Sequence, residues 1–311
     1  MRIAILTEGG SGIGFGHMTR CLSLYTEFKS RNLETLFIIN NNKEATDRLR
    51  GIIYSVYEPE KCSTREMLKL LSGFDCVIVD SYILTRDDYL KIQESTRLLV
   101  SIDDNNRIDY PSGIVLNGSI YADELKYPKT KDITYLLGTE YIPIRREFCE
   151  AKAKDIKKDI SSFLITFGGY CGPDKIINDI KDTILSQRSS ADLNVTDGGL
   201  KSLDMLRLME DADIAISAGG QTLYELARAG TPTIGICMAE NQLRNLEGWA
   251  RRGFLEYCGW YNDRNLLRRI KEAIKRLMKE KVRKAMRHAG LALMDGKGTQ
   301  RTVDRIIGTL K

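Results

Sequence analysis

Short apolar runs alternate with helical patterns along almost the whole chain, and that alternation limits the possible folds. RIAILT (2–7), TLFIIN (35–40), IIYSVY (52–57), CVIVD (76–80), RLLVSIDD (97–104) and IVLNG (114–118) read as strands. Helical stretches near 16–30, 44–50, 64–72 and 85–94 separate them. A run such as VIV has no polar alternation, which is how a strand covered on both faces reads. Strands of that kind, each followed by a helix, predict a doubly wound parallel sheet. The pattern pauses at the lysine-rich AKAKDIKKDISS (151–162) and restarts at FLITFGG (163–169). LNVT (193–196), IAIS (214–217) and TPTIGIC (231–237) follow, with helices near 174–186, 200–209, 222–229 and 241–252. The expectation is an α/β chain of two Rossmann-like, doubly wound domains, 1–154 and 155–311, facing across a cleft. Ligands of such sheets sit beyond the carboxyl ends of the strands.

Composition narrows the class. With 42% apolar and 29% charged residues the chain reads as a soluble globular protein. The N-terminal MRIAILTEGG turns polar too soon for a signal peptide. None of the seven cysteines sits in a C-x-x-C pair, so neither a zinc site nor a disulfide framework is indicated. A reducing, cytoplasmic setting fits. The net charge of +5 is uneven: from Arg244 to Lys311, 18 Lys/Arg face 7 Asp/Glu, a local balance of +11. A basic end of this kind suits peripheral contact with an anionic membrane. The plainer reading is a solvated helix face, and an apolar stripe of Leu266, Ile270, Ile274, Leu277, Val282, Ala285 and Ala289 favours it. No nucleic-acid partner and no cofactor is expected.

GGSGIGFGHMTR (9–20) runs glycines directly into His17, one of two histidines in the chain. No start within it gives the G-x-G-x-x-G spacing of a dinucleotide loop, and it holds no lysine for a phosphate loop of the Walker type. What it offers is a strand, a glycine turn with Gly14 and Gly16, and a helix N-terminus. Glycine lets a ligand approach the backbone closely, and first-turn N–H groups attract oxygen atoms. A neutral imidazole there can take a proton from water or a hydroxyl.

The second constellation is SAGGQTLYELARAGTPTIGICMAENQ (217–242). Gly219 and Gly220 open a helix suited to a diphosphate, with Gln221 and Thr222 at its start. Glu225 can accept from a ribose diol. Asn241 and Gln242, after the next strand, can read hydroxyls or amides. The string DAD (211–213) lies at the wrong end of its strand to hold a metal for this site.

GFGHMTR, SIDDN (101–105), YLLGTEYIPIRREF (135–148), FLITFGG and the AGG-x-T-x-x-E…G-x-P…NQ block together resemble, in order, the PseG-type UDP-sugar hydrolases of pseudaminic acid synthesis. The second half is also similar to MurG-type glycosyltransferases and to spore-coat polysaccharide proteins. The resemblance implies a GT-B fold and a UDP-sugar substrate, with His17 as the catalytic histidine. It places Arg20, Gly168, Gly169, Gly219, Gly220, Glu225, Asn241 and Gln242 at substrate-binding positions. It also places Asp80 and Asp103-Asp104 at acidic strand ends, where Asp80 or Asp103 can fix the imidazole tautomer. Tyr170-Cys171 departs from the family's Ser-Asp, and Phe15 from its glycine loop. The implied reaction is metal-independent release of UDP by cleavage of the anomeric C–O bond. A glycosyltransferase, a 2-epimerase and a non-catalytic sugar-nucleotide binder are the alternatives.

Overall fold

The computed structural model describes residues 1–10, 13–59, 63–169, 173–196 and 199–311. The departure at Tyr170-Cys171, and Gly12 of the glycine run, lie outside them. The first sheet contains β1 (Arg2–Thr7), β2 (Glu34–Asn40), β3 (Tyr54–Tyr57), β4 (Cys76–Asp80), β5 (Leu98–Ile102), β6 (Gly113–Asn117) and β7 (Ile133–Leu137). All pairings are parallel and the order is β3-β2-β1-β4-β5-β6-β7. Its helices are α1 (Gly16–Ser30), α2 (Lys43–Thr46), α3 (Thr64–Leu70) and α4 (Arg86–Ser95), and α5 (Arg146–Glu150) opens the second unit. Both α3 and α4 begin with a capping box, Ser63 with Glu66 and Thr85 with Asp88.

The second sheet contains β8 (Ser162–Thr166), β9 (Asp192–Thr196), β10 (Ile214–Ala218), β11 (Thr233–Cys237) and β12 (Leu255–Trp260). Its order is β12-β11-β10-β8-β9, again all parallel. Around it lie α6 (Asp174–Gln187), α7 (Ser202–Asp211), α8 (Thr222–Ala229), α9 (Leu243–Arg251), α10 (Leu266–Leu277) and α11 (Glu280–Leu293). Two strands, β7 and β12, add to those read from the sequence.

The chain divides into Met1–Arg146 with Lys297–Lys311, and Glu147–Gly296. This differs from a single boundary at 154/155, because the last helix, α12 (Gly298–Leu310), rejoins the first unit. Val303, Ile306 and Leu310 share a core with Cys21, Leu24 and Phe28 of α1. Arg31 to Asp304 and Arg97 to the Leu310 carbonyl secure the same helix. Burying three such apolar side chains is worth roughly 1.5–3 kcal/mol each, ample reason for the return.

The basic C-terminal region buries the expected stripe only in part. In α10, Leu266, Ile270, Ile274 and Leu277 are buried. The chain breaks at Met278–Lys279, which resets the phase, and α11 buries Arg283, Met286 and Gly290 while Ala285 is exposed. Buried Arg283 donates to the carbonyls of Leu277, Lys157 and Lys158. His288 lies on the exposed side. Among the described residues no helix is long and apolar enough to cross a membrane.

Each sheet has one place where the strand order reverses: between β1 and β4 in the first, and between β8 and β10 in the second. At such switch points the connections leave to opposite faces and open a crevice at the strand ends. The loops singled out in the sequence follow those strands.

Candidate active site

In the first unit, Gly10 and Gly14 of the glycine run pair with each other. Gly10 and Gly14 exchange backbone hydrogen bonds of 2.8 and 3.2 Å, and both have positive φ. The Gly14 N–H is therefore spent on the loop and does not serve a ligand as expected. Gly16, the first residue of α1, borders open space. Phe15 precedes the helix, and the Arg48 guanidinium lies over its ring at 3.8 Å. That contact gives the unusual phenylalanine a packing role.

His17 occupies the first turn of α1 and is 6% exposed. Its Nδ1 lies 3.5 Å from Asp80 Oδ1, beyond hydrogen-bond range, and no other described group hydrogen-bonds that nitrogen. The Tyr82 ring packs against the imidazole at right angles, centroids 4.4 Å apart. Asp80, the last residue of β4, is buried and accepts from Arg20 Nε at 2.6 Å and Nη2 at 2.7 Å. Arg20 also donates to Asp104 from Nη1 at 2.6 Å and Nη2 at 3.0 Å. All three guanidinium nitrogens are thus used. Arg20 is an internal strut beneath His17: two carboxylates at strand ends take four of its five N–H donors, which leaves one for the substrate contact expected of it. Burial works to raise the Asp104 carboxyl, but the Arg20 guanidinium overcomes it and holds the group down to about 2. The Tyr82 hydroxyl donates to the same Asp104 at 2.7 Å.

Of the two aspartates expected to orient the imidazole, the structure brings only Asp80 to it. Asp103 faces its own loop. It accepts from the backbone N–H groups of Asn106 at 2.6 Å and Arg107 at 3.2 Å, from Tyr110 at 2.8 Å and from the Tyr127 hydroxyl. Asp104, one residue on, is the acid tied to the histidine's surroundings.

The second unit positions its loops by backbone clamps. Gly168 follows β8 with positive φ, and a side chain there would press on Thr222 Oγ1 at 3.2 Å. Gly169 continues that turn. Gly219 and Gly220 follow β10, with Gln221 and Thr222 leading into α8. Gln242 Oε1 accepts from the N–H groups of Gly219 at 3.3 Å and Met238 at 3.1 Å. Its carbonyl is therefore turned to the loops and not to a sugar. Asn241 is exposed on the turn Glu240–Gln242, and Glu225 is buried in the first turns of α8. Asn245, absent from the sequence reading, donates to the Gly219 carbonyl at 2.8 Å and accepts from Tyr224 at 2.6 Å. The signal for it was its spacing: it lies on the helix after Gln242, one turn from Asn241.

The paired glycines differ in what they tolerate. A Cβ at Gly219 would lie 2.7–2.8 Å from Leu246 and Gln242, backbone included, whereas one at Gly220 meets nothing within 4 Å. Gly219→Ala is expected to lower stability by about 1–3 kcal/mol through overpacking. Gly220→Ala should melt like the parent, because its methyl meets nothing. Thermal melts check both.

Asp213 of the DAD string accepts from the N–H groups of Ser161 at 2.8 Å and Ser162 at 3.1 Å, so it ties down the start of the sheet. Among the described residues no cluster of His, Cys, Asp or Glu is arranged to hold a metal ion.

No family model matches the chain. It is 25% identical over 260 residues to the Helicobacter pylori protein named pseudaminic acid cytidylyltransferase and UDP-2,4-diacetamido-2,4,6-trideoxy-β-L-altropyranose hydrolase. That match covers 78% of this chain and 46% of the relative, so the chain spans about half of that protein's length. It is 26% identical to the spore coat polysaccharide biosynthesis protein SpsG of Bacillus subtilis, over 96% of this chain and 95% of the other. Among solved structures, MurG of Acinetobacter baumannii superposes with a TM-score of 0.73 at 14% identity, covering 99% of this chain and 100% of its own. That likeness establishes the two-domain Rossmann architecture of the GT-B type. The chain is thus a sequence relative of the PseG-type hydrolases and of SpsG, built on a GT-B fold.

Proposed function

We propose that the protein hydrolyses a UDP-linked, acetamido-type deoxysugar, releasing UDP and the free sugar for polysaccharide or pseudaminic-acid-type synthesis. The observation that carries this reading is the buried His17 at the β1/β4 switch point, its Nδ1 turned toward Asp80. The Asp80 charge 3.5 Å from Nδ1 favours, through its field, the tautomer protonated there and leaves the Nε2 lone pair as the base. Water, deprotonated at Nε2, attacks the anomeric carbon. The C–O bond to the β-phosphate breaks, and UDP departs with the electron pair. The loops of Gly168, Gly169, Gly219 and Gly220 hold the diphosphate, and donors at the start of α8 stabilise its growing charge. The hydrolase names among the relatives support UDP-sugar chemistry.

Purified protein incubated with candidate UDP-sugars and no acceptor tests the reading. UDP plus reducing sugar by mass spectrometry is the expected result. A second reading, transfer to a carbohydrate or lipid acceptor, is favoured by the MurG-like fold. UDP released only on adding an acceptor would replace hydrolysis with transfer, and binding without turnover would overturn both.

A further inference from the structure

Glu8, which directly follows β1, is completely buried. No lysine or arginine among the described residues pairs with it. Its partners are neutral: the Ser81 hydroxyl and the Tyr57 hydroxyl at 3.4 Å on Oε1, and the Tyr82 N–H at 3.2 Å on Oε2. Burial pushes its carboxyl above the ordinary glutamate range, which these hydrogen bonds partly offset. A buried carboxylate without a cation is costly and calls for a reason.

The hydrogen-bond inventory supplies one. Ser81 Oγ already accepts from the N–H groups of Ile83 and Leu84, both at 3.0 Å. Its two lone pairs are taken, so its proton must go to Glu8. The Tyr82 N–H can only donate. Both oxygens of Glu8 must therefore accept, and a carboxylate offers two acceptors where an amide offers one. The turn so fixed, 81–84, carries Tyr82, whose ring borders the imidazole and whose hydroxyl reaches Asp104.

We infer that Glu8 is a positioning residue: by fixing the 81–84 turn it sets the Tyr82 ring against His17. Glutamine at position 8 would turn an NH₂ group toward a donor and force the turn to move.

The geometric part of this inference stands without the hydrolase reading, and only its effect on turnover rests on it. The chain has two histidines, His17 and the exposed His288, so full-length protein labelled at histidine gives two sets of imidazole NMR signals. The Tyr82 ring current displaces those of His17, and Tyr82→Leu shows by how much. In Glu8→Gln the His17 signals are expected to move toward their Tyr82→Leu positions while those of His288 stay. Should Glu8→Gln not fold, Ser81→Ala, which removes the other half of the knot, is expected to shift the same signals. His17 signals unmoved in every folded variant of the pair would overturn the inference, as would an equal shift at His288. If the wild type hydrolyses UDP-sugars, Glu8→Gln should lower kcat at least tenfold with KM little changed. A parallel rise in KM would mark a general structural defect and count against positioning. Absence of hydrolysis by the wild type would sink the proposed function and leave the NMR result to judge Glu8.

Discussion

His17→Asn is expected to lower the rate of UDP release by about 10²–10⁴, the usual contribution of one positioned base. UDP binding should stay within about twofold of wild type, because the proposed function puts the diphosphate on the Gly168, Gly169, Gly219 and Gly220 loops and gives His17 no part in holding it. Asparagine keeps a polar group of similar reach and cannot take up the proton. Single-turnover kinetics with calorimetry in parallel separate the two effects. A variant hydrolysing at the parental rate would remove His17 from the mechanism. Its buried placement next to Asp80 would then be structural only.

Arg20→Ala should give the largest loss of stability. The guanidinium lies between two buried or half-buried carboxylates and donates to both. Removing one member of such a cluster costs about 3–5 kcal/mol, because the remaining charges are left without compensation. Here Asp80 and Asp104 would face each other unneutralised. Arg20→Lys should recover only part of the loss, since one ammonium cannot reproduce four donor contacts. The pH dependence has a definite sign. Asp104, at about 2 in the fold against about 3.9 in an unfolded chain, contributes stability above about pH 4 and loses it as the pH falls toward 2. In Arg20→Ala that contribution is gone. The difference between variant and parent should therefore narrow as the pH falls from about 4 toward 2. Denaturant melts across that range test it, and a constant difference would contradict the assignment.

The sequence revealed the sheets more fully than the sites. Runs such as CVIV and IAI are apolar throughout because both faces are covered, and covered strands leave a signal that needs no partner to interpret. LEYCGW (255–260) was missed because glutamate, tyrosine and glycine interrupt the run on a strand only partly buried. The return of α12 was hidden for another reason: its partners on α1 lie nearly the whole chain away, and amphipathicity says that a face is buried but not against what. Arg20 shows the same limit at the level of chemistry. An arginine after a glycine loop reads as an anion hook, yet its acceptors come from positions 60 and 84 residues further on. Gln242 reads as facing a sugar because nothing local indicates that two backbone N–H groups claim its carbonyl. Glu8 left one trace, an acid where β1's apolar run meets the glycines.

Attack of water at the anomeric carbon is the central step of the proposed reaction, and oxygen-18 water tests it directly. Hydrolysis of a UDP-sugar in labelled water, followed by mass spectrometry of both products, should place the heavy oxygen in the free sugar and leave UDP unlabelled. Label in the β-phosphate of UDP would mean cleavage of the P–O bond and would contradict the role given to His17.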